Sequence, residues 1–299
     1  MELTQIRGNT WVIEANQLIP FYKLDGGRCI LLDTGLLEER EELENTLLPN
    51  GLTPARVLCS HAHVDHCANN RYFQEKYGAH IALTFPEAGM CASRLTLKCY
   101  FLTLSPGTVE RESSCMIHEP DYFIPPNDGP FTLGGAEFRI VQTPGHSAGH
   151  ICTITPDNVC YTADALLSQE LLNSKLPYNL SQEMAIASRE KLRNLNCDFY
   201  IMAHRGVCGR NEIGALIDGN QALIRRRAEE ILGQIDMPMT AGEIVGRVCA
   251  LYQLFTHKPH RALRFERNIR FFIEYLVDTG RLAETCRNGV VSYVRTEKS

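Results

Sequence analysis

The chain has 299 residues, 44% of them hydrophobic and 22% charged, which suits one large soluble globular domain with a smaller one attached. A formal net charge of -5 excludes whole-chain attraction to nucleic acid or to an anionic membrane and leaves only local patches to consider. The twelve cysteines are scattered from Cys29 to Cys286 without a Cys-x-x-Cys pair, so neither a disulfide framework nor a cysteine metal site is expected.

The opening Met1–Gly8 lacks the basic-then-apolar pattern of a secretory signal, and no apolar stretch is long enough to span a bilayer; a cytoplasmic protein is expected. Thr10–Glu14, Pro20–Leu24 and Arg28–Leu32 are short β-type runs around the Asp25-Gly26-Gly27 turn, the pattern of an antiparallel meander. A helix-favouring stretch, Leu37–Leu48, follows Asp33-Thr34-Gly35, and Pro54–Ser60 forms an apolar strand. Between Glu87 and Pro130 the residues Pro106, Gly107, Pro120, Pro125, Pro126 and Gly129 interrupt the pattern, which predicts a long excursion outside the core that covers a site. Glu137–Thr143, His150–Thr155 and Asn158–Thr162 read as strands of a second sheet. The chain then continues with a helix capped by Ser181 and a strand, Asp198–Ala203.

From Glu212 the pattern becomes helical: Glu212–Ile235, a second helix headed by the capping box Thr240-Ala241-Gly242-Glu243, and a third over Leu263–Thr279. Arg281–Arg295 then reads as a hairpin around Asn288-Gly289. The expected division is a catalytic domain over residues 1–214 and a small, mainly helical, winged-helix-like domain over residues 215–299.

The chemistry concentrates after the strand that ends at Ser60. Residues two apart in an extended chain point the same way, so His61 and His63 can serve one metal, while Asp65 and His66 follow where the chain turns into a helix and can serve a second. His146, Asp164 and His204 each stand just after a β-type run, where loops on a rigid scaffold commonly carry function. A lone histidine after a strand is usually structural; the combination is not readily explained that way. His80, His118, His257 and His260 lack such context, and His150 reads either as a support for a ligand or as part of its strand.

These residues, in this order, resemble the metallo-β-lactamase superfamily over about residues 8–210: Asp33-Thr34-Gly35, the His61–His66 cluster, Thr143-Pro144-Gly145-His146, Asp164 and His204. The resemblance implies an α+β fold, a four-layer αβ/βα sandwich with a dinuclear site at one edge of the paired sheets. By position it puts His61, His63 and His146 on one metal, Asp65, His66 and His204 on the other, and Asp164 between them. Two divalent ions are implied, zinc first, with iron or manganese as alternatives. Asp33 reads equally as a support behind a ligand and as a strand-ending turn. Two positions depart from the family's common glycines, Ala163 before the bridging aspartate and Arg205 after the last histidine, and Arg205 is expected to face solvent.

The expected activity is metal-dependent hydrolysis by a metal-bridging hydroxide, with Asp65 orienting it as the catalytic residue, on a small acyl compound such as a thioester or lactone. The resemblance is to the glyoxalase-II-like and lactonase-like branch, although the basic C-terminal motifs of the glutathione-thioester hydrolases are absent. A nuclease or phosphodiesterase is the alternative, resting on Arg261, Arg264, Arg267 and Arg270; Glu266 and Glu274 interrupt that basic run, so nucleic acid is not the favoured partner. A DNA-binding metal or ligand sensor and a one-iron oxygenase are further alternatives. The partner expected is a small-molecule substrate.

Overall fold

The computed structural model describes residues 1–296. Strands β2 (Thr10–Glu14), β3 (Leu18–Lys23) and β4 (Arg28–Leu31) form the expected antiparallel meander, and β1 (Glu2–Arg7), which the sequence pattern does not mark, adds a further antiparallel strand beside β2. Helix α1 (Arg40–Leu47) then carries the chain over to β5 (Thr53–Leu58), which lies parallel to β4. Short α2 (Val64–Cys67) and α3 (Asn70–Tyr77) lead to β6 (His80–Thr84), parallel to β5.

The stretch after Glu87 departs from expectation. Three helices, α4 (Phe85–Cys91), α5 (Arg94–Tyr100) and α6 (Pro106–Ser113), occupy it and deliver the chain to an edge strand, β7 (Tyr122–Ile124). Cys91, Leu97, Val109 and Met116 are buried in the core, so the segment is part of the domain. Pro106 misleads because it stands where a helix begins, as Pro86 does just before the stretch, and in a first turn a missing N–H costs no helical hydrogen bond; Pro120, Pro125 and Pro126 do flank the short strand β7 outside any helix.

The second sheet has the order β13-β12-β11-β10-β9-β8. Its strands are β8 (Gly129–Leu133), β9 (Ala136–Gln142), β10 (Ile151–Ile154), β11 (Val159–Ala163), β12 (Phe199–Met202) and β13 (Gly206–Gly209). Between β11 and β12 runs α7 (Gln182–Arg193), whose first turn is capped by the Ser181 hydroxyl accepting from the Met184 N–H.

Alternation along the strands builds four layers. Ile30, Leu32 and Leu58 face Phe138, Tyr161 and Ile201 across the space between the sheets. The intervening Cys29, Leu31 and Val57 face outward onto Leu43, Phe73 and Leu97 of the first helical layer. Cys152, Cys160 and Tyr200 likewise pack on Leu192, Leu216 and Ile217 of the second. The fold is thus α+β, with helices outside both sheets.

Helix α8 (Ile213–Leu232) belongs to two cores: Ile213, Leu216 and Ile217 pack on the second sheet, whereas Ile224, Ala228 and Ile231 join the C-terminal cluster. That cluster is completed by α9 (Ala241–Leu251), whose capping box forms as expected, and α10 (Pro259–Asp278). A hairpin of β14 (Leu282–Arg287) and β15 (Val290–Arg295) follows, turning at Asn288 and Gly289, both with positive φ. Among the described residues no helix is long and apolar enough to cross a membrane.

Candidate metal centre

Strand direction gathers the site. Strand β9 is antiparallel to β10, β10 is antiparallel to β11, and β11 is parallel to β12, so β9, β11 and β12 all end on the same rim. His146, Asp164 and His204 follow those ends. The loop after β5 brings His61 and His63 to the same rim, and backbone bonds from Ile151 N–H to Ser60 O (3.0 Å) and Leu18 N–H to Ala203 O (2.7 Å) stitch the two sheets together beside it. Gly145 is required there by space: a Cβ would lie 2.3 Å from the Ala185 nitrogen of α7, so a larger residue would displace the loop that carries His146.

All the site residues singled out in the sequence meet in two groups. One ligand atom each from His61, His63, His146 and Asp164 lies within 4.8 Å of the others, and the same holds for Asp65, His66 and His204. Asp164 Oδ2 links the groups, 3.2 Å from His146 Nε2 and 3.3 Å from His204 Nε2. His63 Nδ1 is 2.9 Å from both His61 Nε2 and His146 Nε2.

The protons can be placed from the partners behind the rings. The Ser60 hydroxyl donates to Asp33 (2.6 Å), so its oxygen accepts from His61 Nδ1–H (2.9 Å) and leaves His61 Nε2 unprotonated. His146 Nδ1–H donates to the Tyr178 carbonyl (3.3 Å), which leaves its Nε2 with a lone pair facing the centre, and His66 Nδ1–H donates to Asp33 (2.7 Å), which turns the His66 Nε2 towards the centre. His66 Nε2 and Asp164 Oδ1 are buried with no hydrogen-bond partner. Imidazole nitrogens and carboxylate oxygens converging in a buried space are a donor set that could hold a divalent metal.

The titration behaviour fits the same division. Burial, followed by the repulsion of neighbouring rings, pushes His61 and His63 well below the ordinary imidazole range. Burial likewise lowers His146 to about 4, against the pull of Asp164. These three are neutral at pH 7, the form that binds metal. The charge of Asp164, helped by Asp65, raises His204 to about 10. For His66 burial works downward, but Asp65, Asp164 and Asp33 outweigh it and raise the ring well above its usual value. The second group therefore holds protons where a metal would otherwise sit.

Asp33 is a support rather than only a turn. Its fully buried carboxylate accepts from Ser60 N–H (2.7 Å), the Ser60 hydroxyl, His66 Nδ1–H and the Tyr161 hydroxyl (2.7 Å). His150 supports Asp164: its Nε2 accepts from the Asp164 N–H (3.3 Å) while its ring pairs with the Thr143 hydroxyl (2.8 Å). Arg205 is exposed, as expected. Both departures from glycine occupy left-handed backbone, with φ of 44° at Ala163 and 59° at Arg205.

Several neighbours escaped the sequence reading. Glu87, buried on α4, accepts from Ser147 Oγ (2.7 Å) and Gly149 N–H (2.7 Å) with one oxygen and from Ala62 N–H (3.0 Å) with the other, tying the His61–His63 loop to the His146 loop. The Tyr100 hydroxyl bonds His63 Nε2 and meets the Tyr178 hydroxyl at 3.1 Å. Behind His66, Cys67, Cys91 and His118 also have ligand atoms within 4.8 Å of one another. There His118 Nδ1–H donates to Met116 O (2.9 Å), Nε2 accepts from Asn70 (3.0 Å), and the Cys67 thiol, raised by its contact with Cys91 and by burial, stays protonated as a small core group.

Comparison with known proteins agrees with this geometry. The sequence model of the Metallo-beta-lactamase superfamily matches residues 3–204. The chain is 26% identical over 219 residues, 70% of its length and 74% of the relative's, to a hydroxyacylglutathione hydrolase of Chelativorans sp.. It is 25% identical over 272 residues, 89% of its length and 76% of the relative's, to an atrochrysone carboxyl ACP thioesterase of Emericella nidulans. Among solved structures, a metallo-beta-lactamase family protein from Thermus thermophilus superposes with a TM-score of 0.70 at 22% identity, covering 99% of this chain and 98% of that one. A beta-lactamase domain protein from Burkholderia ambifaria gives 0.71 at 17% identity, with 99% and 94% covered. The layered fold, the converging histidines and a family match over most of the chain agree, and the protein belongs to the metallo-β-lactamase superfamily.

Proposed function

We propose that this protein is a dinuclear, zinc-dependent hydrolase of small acyl thioesters. His61, His63 and His146 would hold one ion, Asp65, His66 and His204 the other, and Asp164 would stand between them. The observation that carries this is the single Asp164 oxygen facing His146 and His204, one from each group, at 3.2 and 3.3 Å. A divalent metal bound there brings the pKa of a water towards neutrality and polarises the carbonyl under attack.

This chain's residues supply the rest. The charges of His66 and His204 overcome the effect of burial and hold Asp65 below the usual carboxylate range, so at neutral pH it is an ionised acceptor that can orient the attacking water. Asp33 and Ser60 fix the ring orientations of His66 and His61, and Tyr178 fixes His146. Burial keeps the Tyr100 phenol protonated at the pocket wall, where it closes the far side of His63 to solvent.

A thioester is favoured over a lactone because both relatives named above act, by their names, on thioesters of glutathione or of an acyl carrier protein. Residues 215–299, winged-helix-like in the order of their helices and hairpin, are read as a cap on a catalytic unit formed by residues 1–214. A panel of thioesters, lactones, β-lactams, phosphodiesters and RNA, run with and without chelator beside metal analysis, tests this. Thioester hydrolysis lost on chelation, with about two zinc ions per chain, is the expected result. Chelator-insensitive turnover, or a single iron, would overturn it.

A further inference from the structure

The pocket beside the metal ligands is lined by two arginines that make no ion pair among the described residues. It has a volume of about 200 Å³ and is walled by His63, Asp65 and His146 on one side and by Arg264 and Arg267 of α10 on another. Arg264, Arg267 and Phe271 are spaced three and four apart and share one helix face, with Phe271 packing 6.0 Å from Tyr178. The Arg267 guanidinium carbon lies 4.6 Å from the Tyr178 ring centre and 5.3 Å from that of Tyr100.

Those rings satisfy the face of the guanidinium, not its edge. Arg267 Nε and Nη1, and Arg264 Nε, are buried and have no hydrogen-bond partner among the described residues. Other arginines of the C-terminal helices are answered: Arg270 pairs with Glu266 at 2.9 Å, and Arg227 with Glu230 at 2.6 Å. Arg261, also without an ion pair, is exposed to solvent, so among the described residues of α10 the buried guanidinium nitrogens without a partner belong to the two arginines that line the pocket. A guanidinium left without an ion pair beside a reaction centre matches an oxyanion, which its planar fork of N–H groups is shaped to receive.

We infer that the substrate carries an anionic group, a carboxylate or a phosphate, and that Arg264 and Arg267 are the specificity-determining residues that receive it while its acyl carbon lies at the metal ligands. This rests on the acyl-hydrolase reading above and names the substrate class within it. Water adds to the thioester carbon, the C–S bond breaks, and the products are a carboxylate, a thiol and one proton, so no further reactant is needed.

The test pairs a succinyl thioester with its uncharged methyl-ester counterpart, and a thioester of a phosphorylated thiol with its dephosphorylated form, in wild type, Arg267→Gln, Arg264→Gln and Arg267→Lys. Wild type should favour at least one anionic member at least tenfold in kcat/KM, the favoured pair naming carboxylate or phosphate. Either Gln variant should reduce that preference at least tenfold, mainly through KM, with Arg267→Lys intermediate. Equal losses on charged and uncharged substrates, or no wild-type preference in either pair, would overturn the inference. Binding is read separately as the rise in Tm on adding succinate or inorganic phosphate to the zinc-loaded protein. A rise present in wild type and absent in both Gln variants supports the anion site even if no thioester is turned over, which would count against the acyl-hydrolase reading alone; a rise unchanged in the variants places the anion on the metals and refutes the arginine site.

Discussion

Replacing Asp33 by Asn tests whether the centre is held from behind by one carboxylate. One Asp33 oxygen accepts from Ser60 N–H, and the other accepts from the Ser60 hydroxyl, His66 Nδ1–H and the Tyr161 hydroxyl, all at 2.6–2.7 Å. An Asn can turn its oxygen towards the three donors, but its NH₂ then opposes the Ser60 N–H. Three charge-assisted bonds each weaken by about 1 kcal/mol, and the stranded donor costs about 1–3 kcal/mol. Relief from burying a carboxylate offsets part of that sum, leaving a loss of roughly 3–5 kcal/mol, a large share of a domain's stability. His66 also loses its fixed orientation, so zinc should bind about 10- to 100-fold more weakly. Urea unfolding of the metal-free protein and calorimetric zinc titration measure the two effects. A stability loss below about 1 kcal/mol with unchanged zinc affinity would refute the support role of this carboxylate.

Asp65→Ala and His63→Ala should each abolish turnover while leaving the circular dichroism spectrum of the wild type; full activity in either would contradict their placement at the centre. Metal retention should depend on pH in only one group. His204, raised to about 10, is protonated below that value and must lose its proton to bind metal, so affinity there falls as pH falls, by about tenfold per unit for each displaced proton. His146, lowered to about 4, imposes no such competition above pH 5. Dialysis at pH 6 should therefore remove one metal equivalent and dialysis at pH 8 neither, as read by metal analysis; equal loss of both would contradict the asymmetry. Ala163→Gly and Arg205→Gly relieve left-handed backbone that costs a side-chain-bearing residue about 1–2 kcal/mol, part of which the looser unfolded chain takes back. Each should raise stability by roughly 0.5–1 kcal/mol in denaturant titration, and an unchanged or lower midpoint would count against strain at that position.

The candidate metal-site residues were legible because they sit in one chain segment or directly after a strand, and strand ends carry a local signature. His61 and His63 share a face by the two-residue period alone, and the β9, β11 and β12 runs announced themselves by their apolar residues and bounding turns. The capping box at Thr240 and the Asn288-Gly289 hairpin are equally local, and both formed where read. The segment after Glu87 misleads for the same reason inverted: Pro106 looks like a breaker but stands at a helix start, where local sequence cannot tell the two apart.

Residue type and strand ends determined the chemistry, because imidazole and carboxylate donors at adjacent strand ends have few other uses. What surrounds that chemistry was decided only by tertiary structure. Glu87, Tyr100 and Tyr178 reach the centre from helices and loops far along the chain, and no periodicity marks them. The basic run on α10 looked like a solvated face interrupted by Glu266; folding pairs Glu266 with Arg270 and turns Arg264 and Arg267 into the pocket. A cation's partner is set by three-dimensional packing against distant residues, so whether an arginine is paired or left without a partner is settled only by where the C-terminal helices pack.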